Sequence, residues 1–285
     1  MKIMVTGGSG QLGRAFASHA ESFADQMVLL SSSDMNVTIP HQVNSIFSQI
    51  RPDVVIHAGA YTKVDAAETA PQEAFKINVI GTRNIAVACL NYNSKMVYLS
   101  SDYVFDGQQT RPYTEFDRTN PLNVYGSSKW EGEIIAARIC PKLFIIRTSW
   151  LYGDGHNFVR TILKLAQERE FLAIVNDQTG TPTYTVDLVQ GIMSLIATDG
   201  YGTYHMSNSG YCTWYDFATE ILRLAGRPTI VHPITSDEYV TAAKRPRYSV
   251  LRNYMLELSG LDNFRYWQEA LAEYLKHSGM FAGDV

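Results

Sequence analysis

The sequence predicts an α/β fold: a doubly wound parallel sheet with a smaller C-terminal substrate lobe interleaved with it. Three observations carry this expectation. Short apolar runs alternate with amphipathic stretches through the first 150 residues, as parallel strands and right-handed crossover helices require. The first run leads at once into a glycine-rich turn and a helical pattern, the context that makes a glycine motif informative. No linker, repeat or low-complexity tract divides the 285 residues. Residues 1–150 therefore read as a Rossmann-like, NAD(P)-binding domain completed by about 172–207, and 151–285 mainly as a substrate-binding lobe.

Lys2 to Thr6 is the first strand, and Gly7-Gly8-Ser9-Gly10-Gln11-Leu12-Gly13 follows. The glycines fit Gly8-x-Gly10-x-x-Gly13 and Gly7-x-x-Gly10-x-x-Gly13. In either, small residues let the backbone approach a pyrophosphate, and the helix N-terminus offers unpaired N–H groups. Met27 to Leu30 is the second strand, ending in Ser31-Ser32-Ser33-Asp34. An acid at that end selects the ribose 2′-hydroxyl of NAD; Ser31 leaves room for a 2′-phosphate, which favours NADPH slightly over NADH. Gln42 to Ile50 reads as helix and Val54 to Ile56 as a third strand, running into His57-Ala58-Gly59-Ala60-Tyr61-Thr62. Ala70 to Asn91 carries one long helical pattern, then Met96 to Leu99 forms a buried strand. Leu143 to Arg147 is another. Beyond it, Phe158–Glu168, Val186–Ala197, Tyr215–Ala225 and Trp267–Lys276 read as helices, and Leu172–Val175 and Tyr204–Met206 as strands.

The chemistry concentrates in Ser100-Ser101-Asp102-Tyr103, on the lip of a strand, and Tyr125-Gly126-Ser127-Ser128-Lys129. A helix over Tyr125–Ile139 puts the phenol and the ammonium on one face. A nearby cation lowers a phenol from about 10 toward the working range, and the Ser101 hydroxyl can bond an oxygen on which charge develops. These three groups can move a proton while something else moves a hydride. His57 reads as a hydrogen-bonded structural group, Asn78 as a backbone anchor near the Tyr125 helix. Composition agrees with a catalytic globular domain. Apolar residues are 46%, charged residues 18% and the net charge −4, which gives no nucleic-acid footprint. No apolar run approaches a membrane span, the three cysteines suggest neither disulfides nor zinc, and no metal site is expected. The default is a cytoplasmic protein without nucleic-acid or membrane partners.

With glycine loop, Ser101 and Tyr125-x-x-x-Lys129 in order, the chain resembles the extended short-chain dehydrogenase/reductases. Further blocks resemble the dTDP-4-dehydrorhamnose reductases among them: Ala60-Tyr61-Thr62-Lys63-Val64-Asp65, Ser101-Asp102-Tyr103-Val104-Phe105-Asp106-Gly107, Pro121-Leu122-Asn123-Val124-Tyr125-Gly126, Arg147-Thr148-Ser149-Trp150, Asn176-Asp177-Gln178-x-Gly180 and Arg245-Pro246-x-x-Ser249-x-Leu251. The resemblance implies NAD(P)H-dependent reduction of the 4-keto group of a dTDP-6-deoxyhexose. It gives Tyr125 as proton donor, Lys129 as its electrostatic partner and a nicotinamide-ribose contact, and Ser101 in a place where threonine is usual. It puts Gly7, Gly10, Gln11, Leu12, Gly13, Ser31, Asn36, Val37, Ala58, Ala60, Tyr61 and Thr62 at the cofactor, and Asp102, Tyr103, Trp150, Arg245 and Ser249 at the sugar. Trp150, Tyr61 and Tyr103 are also readable as core aromatics, and Asp102 as a turn cap. Asn36 and His57 depart from the family pattern. Arg14 and Ala15 occupy the region where some members bind magnesium at a dimer contact, so neither that metal nor that dimer carries over; a homodimer of another kind stays open. Related dehydratases need a glutamate where Tyr103 stands, epimerases must retain NAD, and a non-catalytic nucleotide-binding regulatory subunit need not keep the triad.

Overall fold

The computed structural model describes residues 1–20 and 26–282. The chain runs β1 (Lys2–Thr6), α1 (Gln11–His19), β2 (Gln26–Leu30), α2 (Pro40–Ile50), β3 (Val54–His57), α3 (Val64–Thr69), α4 (Pro71–Phe75), a π-helical turn (Lys76–Gly81), α5 (Thr82–Tyr92), β4 (Lys95–Ser101) and a 3₁₀ turn (Asp102–Val104). It continues through α6 (Val124–Ile139), β5 (Leu143–Thr148), β6 (Leu151–Tyr152), α7 (Phe158–Glu168), β7 (Phe171–Val175), β8 (Thr179–Gly180), β9 (Thr183–Tyr184) and α8 (Thr185–Ile196). The last elements are β10 (Gly202–His205), β11 (Cys212–Thr213), α9 (Trp214–Leu224), β12 (Ile230–Ile234), α10 (Tyr254–Ser259) and α11 (Trp267–His277).

Six strands form one parallel sheet in the order β10-β5-β4-β3-β1-β2. Because side chains alternate across a strand, each apolar run supplies both faces. Ile3, Val5, Ile56, Val97 and Ile146 meet Leu12 and Phe16 of α1 and Leu188, Ile192 and Ile196 of α8. Met4, Val55, Met96, Tyr98 and Ile145 meet Val43 and Phe47 of α2, Ile85 and Cys89 of α5, and Ala136 of α6. Helices thus cover the sheet on both sides, which is why its strands read as continuous apolar runs. The chain reverses direction across the sheet between β1 and β3, and the exits of β1, β3 and β4 open on one edge, where ligands of such sheets lie. A separate core of Tyr152, Ile162, Leu172, Phe217, Leu222 and Leu271 builds the lobe on α7, α9 and α11. Among the described residues no helix is long and apolar enough to cross a membrane.

Three features differ from the sequence reading. The single helix expected over Ala70–Asn91 is α4, the π turn and α5. At the widened turn the Asn78 side chain is spent on Tyr61 and Ser128, and Thr82 Oγ1 donates to the Asn78 carbonyl at 2.7 Å. Such a turn is a common device for redirecting one side chain. Within 172–207, β10 joins the sheet and α8 packs on it, whereas β7 pairs only with β12. Strand β12 carries Pro233, a residue that argues against a central strand and fits an edge.

Candidate active site

The glycine loop is set by steric necessity. Gly7 has φ of +72°, and a Cβ there would lie 2.8 Å from the Gly59 nitrogen; a Cβ on Gly13 would lie 2.5 Å from the Gly7 carbonyl oxygen. Close approach to the β3 exit and to its own loop therefore demands glycine at both positions. Gly10 precedes α1, and no side chain caps that helix. The first-turn N–H groups beside half-buried Gln11 and buried Leu12 are left for an anion. At the β2 exit the Ser31 N–H and hydroxyl both donate to the Asp34 carboxylate, at 2.8 and 2.6 Å. These bonds hold the Asp34 carboxyl below its usual range and fold the acid back onto its own turn. Asn36 Oδ1 accepts from Thr38, and the Val37 carbonyl accepts from Asn84 at 3.0 Å. Ala58, Ala60 and Tyr61 are half-buried and Thr62 is exposed on the β3 exit.

His57 is explained by its neighbours. Its ring nitrogens meet Thr6 Oγ1 at 2.8 Å and Thr82 Oγ1 at 3.2 Å, and burial followed by Lys129 pulls its pKa down to about 3. It is a neutral bridge from β1 to α5. Asn78 ties the cofactor edge to α6: its amide pairs with the Tyr61 N–H (2.8 Å) and carbonyl (3.2 Å), and donates to Ser128 Oγ at 2.8 Å.

Ser101 ends β4, where its buried hydroxyl donates to Asp102 Oδ1 at 3.0 Å and accepts from the Tyr103 N–H at 3.1 Å. Helix α6 starts at Asn123, whose side chain accepts from the Gly126 N–H at 2.7 Å, a standard N-cap. Glu68 accepts from the Val124 N–H at 2.8 Å. A Cβ on Gly126 would collide with the Tyr103 carbonyl oxygen, so glycine lets α6 start against the β4 exit and brings Tyr125 to Ser101. The Tyr103 and Tyr125 rings meet edge to face at 5.8 Å. Burial pushes the Tyr125 phenol up to about 12; a hydrogen bond with Ser101 opposes this and Asp102 adds to it. Lys129 was expected to lower that phenol. Instead its buried ammonium lies over the Tyr98 ring, 4.3 Å from the centroid, and burial, opposed by Glu133, pulls it to about 7. In this geometry desolvation outweighs the cation, and the phenol keeps its proton.

The residues expected at the sugar are divided between the sheet edge and the C-terminal lobe. Asp102 is 3% exposed, and burial, offset by Ser249 and Ser101, raises its pKa to about 6. Buried Ser249 donates its N–H to the Thr179 carbonyl at 2.8 Å, so the lobe reaches the β4 exit here. Trp150 holds the left-handed φ of +44°, a costly conformation for a bulky residue. Its ring stacks on Trp214 at 3.5 Å and 8° and covers Gly180, which has no room for a Cβ. Arg245 sits on the lobe side of a cleft of about 560 Å³ and pairs with Asp65 of α3 at 2.7 Å. The sequence reading missed two groups. Asp65 lies 180 residues from its partner, beyond any local pattern. Glu133 and Arg147 form a buried two-point pair at 2.9 and 2.7 Å that Ser100 also joins; the one local signal was an arginine in the apolar run of β5, since α6 carries several other polar residues.

Comparison with known proteins agrees over the whole chain. The family model described as the RmlD substrate binding domain matches residues 1–280. The spore coat polysaccharide biosynthesis protein SpsK of Bacillus subtilis is 40% identical, covering 96% of this chain and 97% of that protein. A dTDP-4-dehydrorhamnose reductase crystal structure from Clostridium acetobutylicum is 45% identical with a TM-score of 0.96, covering 98% and 100% of the two chains. One from Bacillus anthracis, in complex with NADP, is 41% identical with a TM-score of 0.94, covering 97% and 99%. With a family model spanning nearly every residue and relatives of this identity matched end to end, the chain belongs to the dTDP-4-dehydrorhamnose reductase family.

Proposed function

We propose that this chain is an NADPH-dependent reductase of the 4-keto group of a dTDP-4-dehydro-6-deoxyhexose, converting dTDP-4-dehydro-L-rhamnose to dTDP-L-rhamnose. The observation that carries the reading is the close start of α6 against the β4 exit, where Gly126 abuts Tyr103 and the Ser101 hydroxyl acts on the Tyr125 phenol, on the same sheet edge as the glycine loop. The names of the relatives, and the NADP held by the Bacillus anthracis structure, support it. The residues present fit such a cofactor: a turn that excludes a Cβ at Gly7 and Gly13 leads to a helix start no side chain caps. Gly10, Gln11 and Leu12 would hold the pyrophosphate, Ser31 with Asn36 and Val37 the adenosine end, and Ala58, Ala60, Tyr61, Thr62 and Lys129 the remainder. We assign this binding to residues 1–150 with α8 and β10, and the sugar mainly to the lobe.

NADPH supplies a hydride when bound. Tyr125 gives its proton to the sugar's C4 oxygen, and the Ser101 hydroxyl, rotated away from Asp102, donates its one hydrogen bond to that oxygen as charge develops. The high pKa of the buried phenol keeps it protonated across the physiological range. Lys129, buried and one helical turn away, stabilises the tyrosinate left behind. Asp102, Tyr103, Trp150, Arg245 and Ser249 would hold the sugar and its nucleotide. Tyr103, whose phenol burial pushes further up, cannot act as the carboxylate that sugar dehydration needs. The test follows NADPH absorbance with dTDP-4-dehydro-L-rhamnose generated in situ. Sugar-dependent oxidation that falls roughly 10²–10⁴-fold in Tyr125→Phe, with NADPH affinity kept, is the expected outcome. A fully active variant sinks the assignment of the proton donor, and no oxidation by the native enzyme sinks the substrate.

A further inference from the structure

Arg245 is held in an unusual way for a residue expected at the substrate. Its Nη1 and Nη2 donate end-on to the two Asp65 oxygens, at 3.2 and 2.7 Å, and Nη1 also donates to the Ala243 carbonyl at 3.1 Å. That leaves Nε–H and the second Nη2–H without a partner among the described residues. These two donors form the side-on edge of the guanidinium, a planar fork that matches two oxygens of a phosphate. Arg245 lines the cleft of about 560 Å³ together with Lys244 and Arg247, three cationic side chains against the two carboxylates of Asp106 and Asp237, so the open fork borders a cavity with a small excess of positive charge.

The segment around Arg245 is fastened as well. Asp65 accepts from the Ala243 N–H at 3.0 Å. Asn123, the cap of α6, donates to the Lys244 carbonyl at 2.8 Å. Asp65 and Glu68 lie one turn apart on α3, and Glu68 holds the N-terminus of α6. The strap 243–245 is therefore registered against the start of the helix that carries Tyr125. Both side chains of the Asp65–Arg245 pair keep some exposure, 46% and 21%, so an approaching anion can reach the arginine.

We propose that Asp65 is a positioning residue for the diphosphate of the nucleotide sugar: it grips the end-on edge of Arg245 across the cleft and thereby presents the side-on edge to the anion. This inference rests on the function proposed above. It runs against the simplest electrostatic expectation, in which a carboxylate beside an arginine cancels its charge and weakens anion binding. Orientation and cancellation predict opposite signs for the same substitution.

The experiment measures dTDP binding by titration calorimetry to the full chain saturated with NADPH. Asp65→Asn should weaken dTDP roughly ten-fold, the scale of one lost charge-assisted contact, and raise KM for the sugar nucleotide with kcat changed less than two-fold. NADPH affinity should stay within two-fold. Arg245→Gln should weaken dTDP at least as much, and adding Asp65→Asn to it should change nothing further. Arg245→Lys, which keeps the charge but has no fork, tests the geometry without touching Asp65 and should lose affinity to the same degree. Unchanged or tighter dTDP binding by Asp65→Asn overturns the proposal, as does full affinity in Arg245→Lys or an Asp65→Asn loss that adds to Arg245→Gln. If the native enzyme binds no dTDP, the functional reading fails first and takes the proposal with it; that failure is visible in the native protein alone.

Discussion

Glu133→Gln should cost the protein much of its stability and shift its pH profile, though it changes neither shape nor volume at the site. Glu133 and Arg147 are 6% and 8% exposed and paired through two bonds. Removing only the carboxylate charge leaves a buried guanidinium without its paired counter-ion; the more distant Glu115 carboxylate, on which Arg147 also acts, and the Phe105 ring, 5.2 Å from the centroid, compensate only in part. A buried pair broken from one side costs about 3–5 kcal/mol. For a chain of this size that lowers the melting temperature by roughly 5–10 °C, measurable by calorimetry and urea titration. Glu133 also opposes the burial that pulls Lys129 down to about 7. Without it the lysine loses its proton at lower pH, so the alkaline limb of kcat/KM moves toward acid. Adding Arg147→Met should recover at least half of the lost stability, because the stranded charge goes with it. A melting temperature lowered by under 2 °C, or a double variant no better than the single one, would refute the reasoning by showing that water reaches the pair.

Ser31→Asp places an acid at the end of β2 that is not folded back as Asp34 is; the ratio of kcat/KM for NADPH over NADH should fall at least ten-fold, and an unchanged ratio removes Ser31 from cofactor choice. Gly13→Ala puts a methyl 2.5 Å from the Gly7 carbonyl oxygen, so NADPH binding followed by fluorescence should be lost in a protein that is also less heat-stable; normal affinity refutes the close-packed loop. Asp102 has a folded pKa near 6, above its unfolded value of 3.8. The folded state therefore binds the extra proton, and this group's contribution to stability is fully present below about pH 4 and is lost as pH rises through 6. Asp102→Asn should remove that loss, worth roughly 2 kcal/mol between pH 4.5 and pH 7.5, so its melting temperature gains on the native protein's across the interval; an identical pH dependence in both proteins contradicts it.

The central strands of the sheet were legible because they are buried on both faces, so Ile3, Met4 and Val5, or Val97, Tyr98 and Leu99, leave an unbroken apolar run; the edge strands β2 and β10 are partly exposed. Helices α7 and α9 announced themselves by a one-sided apolar stripe, while the caps the structure shows for them, Asn157 and Thr213, went unread. What escaped notice had no period to show. The paired segments β6, β8, β9 and β11 are two residues long. Helix α3 has six residues and one buried position, too few to form a stripe. The π turn is invisible because an extra residue in one turn leaves the apolar spacing on either side nearly intact, and Asn78 and Thr82 do not stand out among the other polar residues of the stretch.

The site divides along the same physical line. Residues whose role depends on a local backbone shape, such as Gly7, Gly13 and Tyr125 with Lys129, could be placed from spacing alone. Residues that act through a partner far along the chain could not. Arg245 was placed at the substrate without the Asp65 that grips it, and Lys129 was given the task of acidifying Tyr125 without the burial that governs both. That second difference changes how the chemistry is read. A phenol near 12 and an ammonium near 7 mean that the pocket first suppresses charge on both groups. In the proposed reaction, tyrosinate forms only in company with the lysine's positive charge, so the proton would leave Tyr125 when an acceptor is in place and not before. A reductase working as proposed gains from that order: the tyrosine stays loaded while the site waits, and the buried Lys129 would act as a counter-charge for the product of proton transfer.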